Sequence, residues 1–100
     1  MKLSGEKVFS DWVIGVGASA GGLEALSQFI ANLPLEFGGS LIVAQHLAPH
    51  SKSMMVELLA RQAHIPVVRA ENRMPIEPST IYVVPPNHDI DIVNNHIELT

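Results

Sequence analysis

Apolar positions along this chain alternate between two spacings, and the changes mark its elements. Trp12 to Val16 is a short apolar run stopped at Gly17, the pattern of a buried strand. Leu23, Leu26, Phe29, Ile30 and Leu33 then recur three and four apart. They predict one face of a helix that ends before Pro34, with Glu24 in its first turn where the dipole favours a carboxylate. "EFGGS" reads as a loop, and Leu41–Gln45 as a second buried strand. After "HLAPHSKS", Ser51 or Ser53 is placed to cap a helix running to about Ala63, with Met54, Met55, Leu58 and Leu59 on its core face. Pro66–Ala70 predicts a third strand, led by the proline that a strand tolerates at its start.

The spacing then shortens for good. "ENRMPIEPS" is a turn-rich link, and "TIYVV" is a strand stopped by Pro85 and Pro86. Ile90 and Ile92 alternate before Asn94-Asn95, and Ile97 and Leu99 alternate after it. This predicts a hairpin whose two asparagines take the positive-φ turn positions. The order β-α-β-α-β followed by further strands predicts an α/β domain of three layers, α/β/α. Its sheet would be mostly parallel (Rossmann-like, doubly wound) and would end in a β-hairpin. Such a sheet is buried on both faces and needs helices on both, yet only two helices are foreseen. The expected fold is therefore incomplete, with residues 1–11 a flexible lead-in and 12–100 the folded part.

Composition narrows the class without changing that picture. At 100 residues and 47% apolar, the chain has the size and core content of one small globular domain. Six scattered Lys and Arg within a net charge of −4 offer no basic stripe for nucleic acid or an anionic membrane. There is no cysteine, no apolar signal-peptide core and no run long enough to span a bilayer, so the expected location is the cytoplasm.

Chemistry concentrates at "GVGASAGG", Gly15 to Gly22, on the junction between the first strand and the first helix. Three readings meet there. "GVGASA" fits the phosphate-cradling turn of a dinucleotide-binding βαβ unit, but such a site also wants an acid at the end of the second strand. That strand ends Ala44-Gln45-His46. Alternatively, Ser19 simply caps the helix and the glycines allow the tight turn. Or Gly17-Ala18-Ser19-Ala20-Gly21 is a G-x-S-x-G elbow that presents Ser19 as a nucleophile, with the backbone N–H of Ala20 beside the developing oxyanion. A serine nucleophile needs a base, and His46 follows the second strand immediately. Parallel strands joined by a helix open their carboxyl ends on one edge, which would bring Ser19 and His46 to one crevice. His46 and His50 are four apart, but Pro49 between them opposes a helical metal pair. His64, His88 and His96 have no carboxylate at ligand spacing, so no metal site is expected.

These residues resemble a known family, the catalytic domain of CheB-type protein-glutamate methylesterases of bacterial chemotaxis. "IGVGASAGGLEAL", "LIVAQHLAPHSKSMMVELLAR", "VVRAEN" and "EPSTIYVVPPNHDIDI" follow its pattern in order and spacing from about Val13 onward. The combination of "GASAGGLEAL" and "QHLAP" is most similar to the version fused to a receptor methyltransferase. The resemblance implies Ser19 as nucleophile, His46 as general base, and hydrolysis of methyl esters on receptor glutamates, with glutamine deamidation as a second activity. It implies no metal or organic cofactor. Its partners would be a methyl-accepting receptor and a receptor methyltransferase, fused or separate.

Three departures qualify the resemblance. Ala20 replaces the threonine of the stand-alone enzymes, although its backbone N–H, the useful group, is kept. The elbow lies within 20 residues of Met1, so no phospho-receiver domain is expected ahead of it. The family's triad Asp falls in the second half of the domain, and Asp89 and Asp91 do not match its motif. The chain thus reads as the N-terminal half of such a domain, carrying two members of a triad. An unoriented histidine in a serine protease costs about 10⁴-fold in rate. The alternatives left open are a truncated, non-catalytic interaction module, which would self-associate through its uncovered sheet, and the dinucleotide-binding unit.

Overall fold

The computed structural model describes residues 13–18, 23–45, 55–86 and 88–100, so the lead-in at 1–11 lies outside it. Among these residues, six strands and two helices follow in the order β1 (Val13–Ala18), α1 (Leu23–Ala31), β2 (Ser40–Gln45), α2 (Met55–Ala60), β3 (Val67–Arg69), β4 (Thr80–Val83), β5 (Ile90–Val93) and β6 (His96–Leu99). The first four strands make one parallel sheet in the order β1-β2-β4-β3, and β5 and β6 make an antiparallel pair.

The sheet order explains which face each connection takes. The steps β1 to β2 and β2 to β3 move the same way across the sheet. Right-handed crossovers therefore put α1 and α2 on one face. Leu26, Ile30 and Leu33 pack there with Met55, Leu59 and the β2 and β4 residues Leu41, Val43, Ile81 and Val83. The step β3 to β4 runs backward, so the link at 70–79 must cross the opposite face. It does: Ala70 and Ile76 join Ile42, Tyr82 and Val84 in a second cluster, which Ile97 of the hairpin completes. Alternation along β2 and β4 (Leu41, Val43 one way, Ile42 the other) divides the two clusters, as the pleat requires.

The expected parallel sheet and closing hairpin are present. Both described helices, however, lie on one face, and the link and hairpin cover the other. That cover does not reach Gly15 of β1. Gly15 is exposed, and nothing lies within 4 Å of where a Cβ would sit on it.

Several boundaries move, each for a local reason. β1 runs on through Gly17 to Ala18, because Gly17 and Ala18 keep pairing with Ala44 and Gln45. α1 ends at Ala31 in a tight final turn, where the N–H groups of Asn32 and Leu33 reach the carbonyls of Phe29 and Ile30. Phe29 sits on the rim of the apolar stripe and is 46% exposed; Leu58 sits likewise on α2. The capping serines expected for α2, Ser51 and Ser53, and Met54 lie outside the described residues. Its regular part ends at Ala60, although the N–H of Ala63 still bonds the Leu59 carbonyl at 3.0 Å. β3 loses both ends of the expected range, Pro66 and Ala70, and β4 loses Val84, but the ladder bonds of Ala70 and Val84 continue, Ala70 to Val83 and Val84 to Val43, both 2.8 Å. The hairpin turn is as expected: Asn94 and Asn95 have φ of 52° and 62°.

Candidate active site

Four parallel strands direct their carboxyl ends to one edge, and in α/β sheets that edge carries the chemistry. Ala18 is the last residue of β1, Gln45 the last of β2, and the two are Cα partners in the ladder. Beside them, Val83 pairs with Val43 on one side and Arg69 on the other, and the chain leaves β4 through buried Val84 and Pro85. The three candidate site residues, Ser19, Ala20 and His46, lie outside the described residues. What the fold supplies is their attachment: Ser19 is bonded to Ala18, and His46 to Gln45. β2 does end at Gln45, so it carries no carboxylate at the position where a dinucleotide's ribose would be held.

The remaining described candidates have local roles. The Nδ1–H of His88 donates to the Pro86 carbonyl at 2.9 Å, and that of His96 to the Asn94 carbonyl at 2.8 Å. Both residues are exposed, and each ring bonds a backbone carbonyl two residues earlier in its own turn region. Asp91 accepts the Ile92 N–H at 2.8 Å on its own strand, and the backbone of Asp89 exchanges two bonds with Thr100 at 3.1 and 3.0 Å. No three His, Asp or Glu side chains gather at metal-binding distance among the described residues.

One buried polar network escaped the sequence reading. The Tyr82 hydroxyl accepts the Glu77 N–H at 2.7 Å and donates to the Pro75 carbonyl at 3.3 Å. The Ser40 hydroxyl donates to the Glu77 carbonyl at 2.7 Å. Both polar backbone groups of Glu77 are thus held by side chains from the sheet. Burial pushes the Tyr82 hydroxyl above the usual phenol range, against the lowering effect of its bond to the Glu77 backbone. Ser40 and Thr80 open β2 and β4, so this network marks the amino edge, opposite Ala18 and Gln45. The signal available in the sequence was a tyrosine inside an otherwise aliphatic strand.

Comparison with known proteins agrees with this architecture. The CheB methylesterase family matches residues 14–100. A relative from Leptospira interrogans is 31% identical over 77 residues, which cover 77% of this chain and 40% of that protein. A protein-glutamate methylesterase/protein-glutamine glutaminase of Trichodesmium erythraeum is 31% identical over 81 residues, 81% of this chain and 23% of its own length. Among solved structures, the Thermotoga maritima CheB methylesterase catalytic domain superposes with a TM-score of 0.73 at 25% identity, covering 87% of this chain and 47% of that one. The chain therefore spans less than half the length of these relatives. With its parallel ladder, strand-end geometry and matched length all in accord, the chain belongs to the CheB methylesterase family.

Proposed function

We propose that this chain contributes the nucleophile and general base of a protein-glutamate methylesterase. The observation that carries the reading is the parallel pairing of Ala18 with Gln45, because the next residues along the chain are Ser19 and His46. Ser19 Oγ attacks the ester carbonyl carbon of a methylated glutamate while His46 takes its proton. The N–H of Ala20 donates to the oxyanion that forms. Collapse of the intermediate expels the methoxy group, which leaves as methanol with the proton from His46. A water activated by His46 then attacks the glutamyl ester, restoring Ser19 and releasing a free carboxylate. With a glutamine substrate the same course releases ammonia. The substrate-bearing partner is a methyl-accepting receptor in the cytoplasm, with a receptor methyltransferase, fused or separate, supplying the esters. An acid that orients His46 completes the site.

Labelling with a fluorophosphonate, read by mass spectrometry, tests the assignment. The expected adduct is on Ser19; Ser19→Ala removes it and His46→Gln slows it by about a hundredfold or more. A folded chain that leaves Ser19 unlabelled overturns the reading. A second reading, binding without turnover, draws support from the exposed Gly15 side of the sheet and the share of its relatives that the chain spans. It predicts retention of a methylated receptor peptide with no adduct on Ser19.

A further inference from the structure

The outer edge of β3 is a second place where the fold offers binding groups. In a parallel ladder, alternate residues turn both backbone groups toward the same neighbour. The Pro66 carbonyl accepts the Ile81 N–H at 2.9 Å and the Ala70 N–H donates to the Val83 carbonyl at 2.8 Å, so Pro66, Val68 and Ala70 face β4. Val67 and Arg69 therefore turn their N–H and C=O groups outward, where the sheet has no further strand among the described residues. Beside this edge, on the face opposite the helices, lies an open cavity of about 350 Å³. Pro66, Val68, Met74, Pro75 and Tyr82 give it apolar walls, and Glu77 places an exposed carboxylate at its margin.

Edge and cavity fit one kind of occupant. A strand added alongside β3 would hang every second side chain on the face where Val68 points, and so over the cavity. A side chain with an apolar stem and a cationic end matches apolar walls beside a carboxylate. Exposed Arg69, on the other face of β3, favours an acidic residue next to that cation. The short strand, its leading proline and its arginine would discourage indiscriminate pairing, leaving selection to the cavity.

We propose that the outer edge of β3 and the adjoining Glu77 cavity bind an extended segment of a partner protein, which adds as a fifth parallel-sheet strand and places a lysine or arginine against Glu77. This site lies at the edge of the sheet remote from β1 and does not depend on the esterase chemistry.

Fluorescence polarisation with the full chain tests it, using two labelled peptides, Thr-Val-Lys-Glu-Val-Thr and the same peptide with norleucine for lysine. The lysine peptide is expected to bind about three- to fivefold tighter, a preference that Glu77→Gln removes without weakening the norleucine peptide. Arg69→Pro deletes an outward N–H without touching the bonds to β4, and should abolish binding of both peptides. Arg69→Ala controls for its charge and should retain the norleucine peptide. Circular dichroism confirms that each variant is folded. Absence of binding, equal affinity for both peptides, or full binding by folded Arg69→Pro overturns the proposal. So does a self-association that Arg69→Pro abolishes, which would assign the edge to a second copy of this chain.

Discussion

Glu77 shows how single side chains hold a link that has no regular structure. Its peptide groups are bonded by the Tyr82 and Ser40 hydroxyls, which reach it from neighbouring strands at 2.7 Å each. Ser40 is fully buried and Tyr82 is 2% exposed, so losing either hydroxyl removes a well-ordered hydrogen bond that holds the Glu77 backbone. Tyr82→Phe and Ser40→Ala should each lower stability by about 1–2 kcal/mol in urea denaturation. Because both act on one residue, the double variant should fall short of the sum. The raised Tyr82 pKa has a definite sign. Folding favours the neutral phenol, so its contribution is complete below the unfolded value of 10.0 and is lost as pH rises through the higher folded value. Urea midpoints of the native chain should therefore fall above about pH 10, and this part of the fall should be absent from Tyr82→Phe.

Among the elements, the hairpin was the most legible, because its signal is local. Two asparagines between alternating apolar residues dictate a turn with positive φ, and Asn94 and Asn95 adopt it. Asn95 does more than turn the chain: its Nδ2 donates to the Ile76 carbonyl at 3.1 Å, and its own carbonyl accepts the Ile76 N–H at 2.9 Å. That ties the hairpin to the link between β3 and β4. Asn94→Gly should change stability by no more than about 0.5 kcal/mol, since glycine accepts the same φ. Asn95→Val places a branched residue in the left-handed region and removes the bond to Ile76, and should cost about 2–4 kcal/mol. Thermal and urea unfolding of the two variants separates the effects. Helix ends were less legible than the turn. Phe29 and Leu58 match the apolar spacing but lie at its rim, where only the neighbouring surface decides burial.

At the scale of the whole molecule, the parallel pairing of β1 with β2 was readable in the sequence and the sheet order was not. The spacing of Ser19 and His46 relative to their strands follows from one local βαβ unit, and the ladder partners Ala18 and Gln45 agree with it. Insertion of β4 between β2 and β3 depends on contacts far apart in the chain, for which no local pattern exists. The same order leaves β1 with one paired neighbour among the described strands, and Gly15 open. Gly15→Ala should be accepted sterically and raise or leave unchanged the melting temperature of this chain, because it meets no atom within 4 Å. Self-association through the β1 side is the expected behaviour of the chain alone, read as a concentration-dependent mass in sedimentation equilibrium. A mass that stays monomeric at all concentrations would contradict it.

The sequence by itself determined the order of the elements, the hairpin turn and the end of β2 from which His46 departs. Those features rest on the period of apolar residues, on which backbones accept a positive φ, and on covalent continuity, all of them local. Tertiary structure alone decided that both described helices share a face, that the link and hairpin cover the other, and that Tyr82 and Ser40 clasp Glu77. The physical reason is that a strand's neighbours, and the handedness of each crossover, depend on where the whole chain can bury its apolar faces together.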